Sequence, residues 1–422
     1  MSDDHSLRAR RLLLADRGFA LGDGGLGRLM ALSIEPLMRA LDQRLQTGRL
    51  TARLPDGSVR HIGGHKPGPN AEVWLNSWRP ARRYMLGGTL GWSRSYIDGD
   101  WDSPDLAAIA ELFTANRHTL GQSQKGTRGN RLINRLAHAL RSNTRRGARR
   151  NIAFHYDLGN DFYAAWLDRG MTYSAAIFAD GDTLEQAQTR KIRRLLDSLN
   201  ARPGERLLEI GCGWGGLAEI AARDDGLLVD GLTLSQAQLD YGRTRLAQAG
   251  LSDRVKLRLA DYRDVAGVYD HIVSVEMLEA VGERYWQVYM DKVYSLLRPG
   301  GRAAIQVIVI DDAVFETYRR GADFIQTYIF PGGMLPPLAR LQDATRRAGL
   351  NWRAADRFGL DYAKTLRCWR ARFEHAAARG LLPAGFDDRF QRLWRYYLTY
   401  CEGGFRAGGI DVVQLLLEKP AA

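Results

Sequence analysis

The spacing of apolar positions changes along the chain and divides it into stretches of different character. Leu29, Leu37, Leu41 and Leu45 recur at helical intervals, with Pro36 interrupting near the middle. Alternating patterns follow at residues 49–54 and 58–62, on either side of Pro55-Asp56-Gly57, and predict a hairpin. Residues 71–76 read as a further strand, residues 87–101 are rich in glycine and aromatics, and Pro104 opens a helix reaching Phe113. From about residue 151, short apolar runs alternate with helical periodicity. The runs at 207–210, 255–259, 269–274, 302–310 and 412–417 predict strands. Ser235 with Gln238 predicts a capping box on the helix after the second strand of this region, and Gly300 with Gly301 marks a helix-to-strand return. Strands alternating with helices predict an α/β fold. Its expected form is a doubly wound, Rossmann-like parallel sheet with ligands at the carboxyl ends of the strands, behind a smaller N-terminal α+β domain. The expected boundaries are a docking or substrate-presenting domain at 1–120, a basic linker at 121–150 and a catalytic domain at 151–422.

Charge sharpens the middle of that division. The 422-residue chain carries a net +12, and residues 117–150 hold ten Lys or Arg without an Asp or Glu. Leu132, Ile133, Leu136 and Leu140 would line one helical face, with Arg131, Arg135 and Arg141 away from it. Such a helix suits an anionic bilayer, or is a linker whose apolar face packs on its own protein. No aromatics interleave the run and no reading module is recognisable, which argues against nucleic acid. Three cysteines, Cys212, Cys368 and Cys401, include no C-x-x-C pair, so a reducing compartment is expected and a cysteine-based zinc site is not. No apolar run approaches the ~20 residues of a membrane span. Arg8, Arg10 and Arg11 precede an apolar core too short for a signal peptide. The expected location is cytoplasmic, with peripheral membrane association.

Candidate chemistry concentrates in Arg206-Leu-Leu-Glu-Ile-Gly-Cys-Gly-Trp-Gly-Gly-Leu217. A strand of buried character runs into Gly211, Gly213 and Gly216, a G-x-G-x-x-G turn, and helical periodicity resumes at Leu217. Glycine lets the chain turn sharply and lets a ligand approach the backbone. Strand, loop and helix together point to a nucleotide-type cofactor. Asp230, about twenty residues further on, sits where a dinucleotide fold places its ribose acid and keeps NAD open. Glu209 ahead of the first glycine, with the hydroxyl and amide groups of residues 233–238, favours S-adenosylmethionine (SAM) instead. Asp261 and Tyr262 follow the third strand and residues 276–279 the fourth, which are site positions in such a sheet.

Six motifs stand in family order: His155-Tyr-Asp-Leu-Gly-Asn-Asp-Phe-Tyr163, Met171-Thr-Tyr-Ser174, residues 209–216, Leu232-Thr-Leu-Ser235, Tyr328-Ile-Phe-Pro-Gly-Gly333 and Tyr362-Ala-Lys-Thr-Leu366. With them the chain resembles the cyclopropane-fatty-acyl-phospholipid synthases. Gly88-Thr-Leu-Gly91 and Tyr96-Ile-Asp-Gly99 extend the resemblance over the N-terminal region. It implies a class I methyltransferase fold and SAM contacts from Tyr173, Ser174, Gly211, Gly213, Thr233, Leu234, Gln238 and Tyr262. The glycines would admit the amino-acid end, Thr233 and Gln238 would bond the ribose hydroxyls, and Tyr262 would stack on adenine. The implied partners are unsaturated phospholipid acyl chains and an anionic membrane surface, without nucleic acid; a homodimer is left open.

The implied reaction has a cis double bond attack the sulfonium methyl, leaving a carbocation whose new methyl loses a proton as a cyclopropane closes. In the family a bound bicarbonate is the base, held by a cysteine, a glutamate, a histidine, a tyrosine and backbone. Glu279 matches the glutamate and Tyr362 the tyrosine. The cysteine position is Ala175, the histidine position is Gln306, and Ala280 replaces a further histidine beside the glutamate. Gln306 can still donate to an anion, whereas the Ala175 side chain cannot. The expected catalytic set is Glu279, Tyr362 and Gln306, with the bicarbonate site put in question. Glu276, one helical turn earlier, shares a face with Glu279 or is a solvated acid. His155 lies beside substrate or is structural, and Tyr396, Tyr397 and Phe405 line an acyl tunnel or fill a core. The expected product is the cyclopropane. The same-class alternative is a methylene-branched chain, formed after a hydride shift and reduced by a partner. The different-class alternative, binding of SAM or lipid without turnover, follows from Ala175 and Gln306 and is opposed by intact Glu279, Tyr362 and the glycine loop.

Overall fold

A computed structural model describes residues 35–121 and 158–421, together with Gly147. Leu29, residues 122–146 and 148–150 of the basic segment, and His155 lie outside the described residues. The chain forms two compact units. The first gathers residues 1–140, 317–331 and 369–410; the second holds 141–316, 332–368 and 411–422. Segments 317–331 and 369–410, which sequence places with the catalytic region, thus pack within the first unit.

In the first unit, Pro36 lies in the opening turn of the helix Glu35–Arg44 rather than mid-helix, where its missing N–H breaks no bond. The sheet has the order β2-β1-β3-β4, from β1 (Thr47–Arg53), β2 (Val59–Gly63), β3 (Lys66–Leu75) and β4 (Trp101–Asp102). The hairpin pairs Leu50 with Ile62, and β1 runs parallel to β3. Residues 87–97 belong to the helix Arg79–Ile97, which is kinked at Gly88 (φ 61°). Gly91 is required there, since a Cβ on it would lie 1.9 Å from the Arg83 carbonyl oxygen. The helix Leu106–Ala115 is crossed by Asp388–Arg406 at Gly403, where a Cβ would fall 2.5 Å from that of Ala110. Tyr396, Tyr397 and Phe405 are core residues of this unit. The Tyr396 ring lies 4.8 Å from Phe324 and 5.5 Å from Tyr96, and Tyr397 lies 5.1 Å from Trp394.

Asp105 caps the helix Leu106–Ala115 by accepting the Ala107 and Ala108 N–H groups at 3.0 and 3.3 Å. Asp105→Ala is expected to destabilise this unit by about 1 kcal/mol, read as a lower urea midpoint. An unchanged midpoint would mean the first-turn N–H groups find other partners.

The second unit is built on a seven-stranded sheet in the order β10-β11-β9-β8-β5-β6-β7. Its strands are β5 (Arg206–Ile210), β6 (Leu228–Thr233), β7 (Val255–Leu259), β8 (Tyr269–Val275), β9 (Leu297–Ile310), β10 (Asn351–Arg357) and β11 (Ile410–Glu418). Strands β7, β6, β5, β8 and β9 run parallel, and β10 pairs antiparallel with β11. Gly300 and Gly301 fall inside β9, where its pairing with β8 shifts register. The helix Leu184–Leu199 carries a complete capping box, Thr183 with Gln186, and packs Leu195 and Leu199 against Leu207, Ala221, Val229 and Val273. At Gln236–Gln248 only half of the expected box forms. Ser235 accepts the Gln238 N–H, but the Gln238 side chain turns to Thr233. No described helix is long and apolar enough to cross a membrane.

Candidate active site

The strand β5 ends in a loop that only glycine fills easily. Gly211, Gly213 and Gly215 have φ of 90°, 50° and 82°. Gly216 is needed for close approach, because a Cβ would sit 2.9 Å from the Gly170 carbonyl oxygen. Over Gly213 the space is open: nothing lies within 4 Å of where a Cβ would stand. A Cβ on Gly211 would meet Met277 Cγ at 3.0 Å, so the loop abuts the segment that follows β8.

Aromatic packing fixes Tyr173 near this loop. Its ring lies 5.5 Å from both Tyr163 and Trp166, and Tyr163 in turn lies 5.2 Å from Trp214 of the loop. The Trp214 indole donates to Asn160 Oδ1 at 2.8 Å, and Asn160 Nδ2 donates to the Ala237 carbonyl at 3.2 Å. Asn160 therefore ties the glycine loop to the helix after β6. Sequence carried it only as one letter of a motif.

Thr233 and Gln238, both buried, are bonded to each other: Thr233 Oγ1 donates to Gln238 Oε1 at 2.8 Å. Leu234 between them is half-buried. Tyr262 is buried edge-on against Tyr289 at 5.3 Å, and burial pushes its hydroxyl up to about 12. Asp230 is engaged elsewhere, with Tyr269 Oη at 2.8 Å, Arg206 at 3.3 Å and Arg258 at 3.4 Å. Arg206 and Tyr269 open β5 and β8, away from the carboxyl ends where ligand binds, so Asp230 is no ribose acid.

Behind the loop lies a cluster of buried charge. Lys191, fully enclosed on Leu184–Leu199, donates from Nζ to Ser174 Oγ at 2.5 Å. Burial lowers its pKa to about 8, against the pull of Glu276, Asp168 and Glu209. Burial raises Glu209 to about 8, opposed by Lys191. Sequence reasoning passed over Lys191, although its i±4 spacing from Ala187 and Leu195 puts it on the buried face of its helix.

Two expected site residues, Gln306 and Tyr362, and the backbone of Ala175 converge on an acid that was not the expected centre. Glu276 Oε1 accepts the Ala175 backbone N–H and the Gln306 Nε2–H, each at 2.8 Å, and Oε2 accepts the Tyr362 hydroxyl at 2.7 Å. Gln414 Nε2 donates to Gln306 Oε1 at 3.0 Å, which turns the Gln306 amide nitrogen toward the carboxylate. Glu276 is neither solvated nor on the Glu279 helix. It has φ 49°, and the helix begins only at Leu278. Glu279 is separate: its Oε1 accepts the Ile308 N–H and its Oε2 has no partner among the described residues. Burial, reinforced by the Glu276 charge, raises Glu279 to about 8, so it holds a proton at neutral pH.

Glu209 Oε2 beside the glycine loop and Tyr262 Oη after β7 are also among the buried polar atoms without a partner in the described residues. Unpaired buried groups at the carboxyl ends of two strands, with open space over Gly213, fit a ligand bearing both cationic and hydroxyl groups, as SAM does.

Comparison with known proteins agrees with this fit. The family description "Mycolic acid cyclopropane synthetase" matches residues 143–415. Tuberculostearic acid methyltransferase UfaA1 of Mycobacterium tuberculosis is 42% identical over 81% of this chain and 82% of its own. The cyclopropane-fatty-acyl-phospholipid synthase of Escherichia coli K12 is 35% identical over 80% and 85%. The crystal structure of mycolic acid cyclopropane synthase CmaA1 with SAH and CTAB superposes with a TM-score of 0.61 at 32% identity, covering 64% of this chain and 98% of that one. Fold and site define a SAM-dependent methyltransferase with the class I sheet. Within that class, the chain belongs to the mycolic acid cyclopropane synthetase family.

Proposed function

We propose that this chain transfers the methyl carbon of SAM to the cis double bond of an unsaturated acyl chain in a phospholipid, and that proton loss then closes a cyclopropane. The supporting observation is the enclosed cluster of acid, phenol and amide that begins where the glycine loop meets Met277. SAM, when bound, supplies an electrophilic methyl. The chain's residues do the rest. Gly211 and Gly213 admit the amino-acid end, and Tyr173, Ser174, Thr233, Leu234, Gln238 and Tyr262 surround the nucleoside. The buried wall around Glu279, Gln306 and Tyr362 excludes water and sets negative charge and dipoles against the developing cation. Residues 1–120 would present the lipid, and the net charge of +12 would favour an anionic membrane surface, with the protein held there peripherally.

A second reading, a methyl- or methylene-branched product, is favoured by the 42% identity to the relative named tuberculostearic acid methyltransferase UfaA1. Both readings share the transfer step. Expression in a host lacking such enzymes, followed by lipid mass spectrometry, is expected to show unsaturated phospholipid chains heavier by one methylene. Unaltered lipids in cells holding folded protein would oppose both.

A further inference from the structure

The donors that the resemblance assigns to bicarbonate are already taken. The Ala175 N–H, the Gln306 amide and the Tyr362 hydroxyl all end on the two oxygens of Glu276, at 2.8, 2.8 and 2.7 Å. An added anion would have to displace a carboxylate of its own sign, beside a second acid, Glu279. The residues present therefore do not fit bicarbonate. We propose that the Glu276 carboxylate stands in place of that ion, as a base built into the chain that removes the proton after methyl transfer. This rests on the methyl-transfer reading above.

The backbone supports a placed rather than an incidental acid. Glu276 sits at φ 49°, a region that disfavours residues with a Cβ, yet here it carries a long side chain whose carboxylate is bonded on three sides. Burial raises the Glu276 carboxyl above the usual carboxylate range, against the pull of Lys191 and the three donors, while burial and the Glu276 charge raise Glu279 to about 8. The loss of the cysteine and histidine side chains is then consistent. The Ala175 contribution is its N–H, which needs no thiol, and Gln306 supplies a donor that Gln414 orients.

The step balances without a further reagent. The alkene π pair forms the bond to the methyl carbon, and the S–C pair leaves with sulfur. The neighbouring alkene carbon is left cationic. A Glu276 oxygen takes a proton from the transferred methyl, and that C–H pair closes the ring. If a hydride shifts first, the same proton removal leaves a methylene instead. Tyr362 and Gln306 act as positioning residues for the carboxylate.

The test uses the full chain in carbon-dioxide-depleted buffer, with and without added bicarbonate. Wild-type turnover is expected to be the same in both. Glu276→Gly, which suits φ 49° and empties the cradle, is expected to lose about a hundredfold or more in depleted buffer. Added bicarbonate should restore part of it, because the freed donors can hold the ion, and SAM affinity by calorimetry should stay unchanged. A wild type that needs bicarbonate, or a Glu276→Gly variant as active as wild type in depleted buffer, overturns the proposal. Should Glu276→Gly not fold, Glu276→Gln keeps the size and an acceptor; it is expected to be inactive and beyond rescue by bicarbonate, and full activity in it overturns the proposal equally. Thermal melting separates this from failure of the methyl-transfer reading, since it needs no substrate. Bicarbonate is expected to stabilise Glu276→Gly and not wild type, and stabilisation of wild type contradicts the proposal.

Discussion

Tyr362→Phe is expected to lower kcat by about a hundredfold or more while leaving SAM affinity within a factor of about two. The substitution deletes one oxygen and little volume, and Tyr362 is 6% exposed, so the surrounding packing is retained. What disappears is the 2.7 Å bond from its hydroxyl to Glu276 Oε2. A buried carboxylate that loses one of three donors loses both orientation and part of the support for its charge. The cost falls on the proton-removal step rather than on binding, so kcat should fall with kcat/KM. Glu279→Gln makes a useful companion. It copies the neutral acid and keeps an acceptor for the Ile308 N–H, and turnover should fall less than in Tyr362→Phe. Equal losses in SAM affinity and turnover for Tyr362→Phe would place the hydroxyl in cofactor binding instead.

Gly213→Val is expected to weaken SAM binding by about a hundredfold or more, ~2.7 kcal/mol. A side chain at Gly213 meets no protein atom within 4 Å and would project into the space proposed for the amino-acid end of SAM. Backbone strain contributes as well, since φ at Gly213 is 50° and a residue with a Cβ there costs roughly 1–2 kcal/mol. Gly204→Val separates the two effects. Gly204 has φ 86°, also faces open space, and lies ahead of β5 at the far end of the strand from the loop. It should lose stability and keep SAM affinity by calorimetry. Similar affinity losses in both variants would reduce the Gly213 effect to strain.

The sheet around the glycine loop was legible because β5 and β8 are buried on both faces and rich in Leu, Ile and Val, and because the turn after β5 demands positive φ. Strand β10 left no signal. It is an exposed edge carrying Arg353, Asp356 and Arg357, and edge strands are often kept polar. Asp230 and Gly231 blurred the limits of β6, and Asp230 stood at ribose spacing while serving Arg206, Arg258 and Tyr269. The return of residues 369–410 to the first unit depends on a long-range crossing at Gly403, which local pattern does not reveal. In the site, Glu279, Gln306 and Tyr362 were named through resemblance, but Glu279 stands apart on the Ile308 N–H while Gln306 and Tyr362 bond Glu276. A left-handed backbone aims that carboxylate, and helical spacing could not foresee it.

The most direct measurement supplies the purified chain with methyl-deuterated SAM and vesicles of an unsaturated, anionic phospholipid, and reads the acyl chains by mass spectrometry and NMR. The expected result is one added carbon carrying two of the three deuteriums, with cyclopropane resonances replacing those of the double bond. An olefinic methylene signal would change the product and leave the transfer intact. Acyl chains without label, from protein that binds SAM, would contradict transfer to the double bond itself.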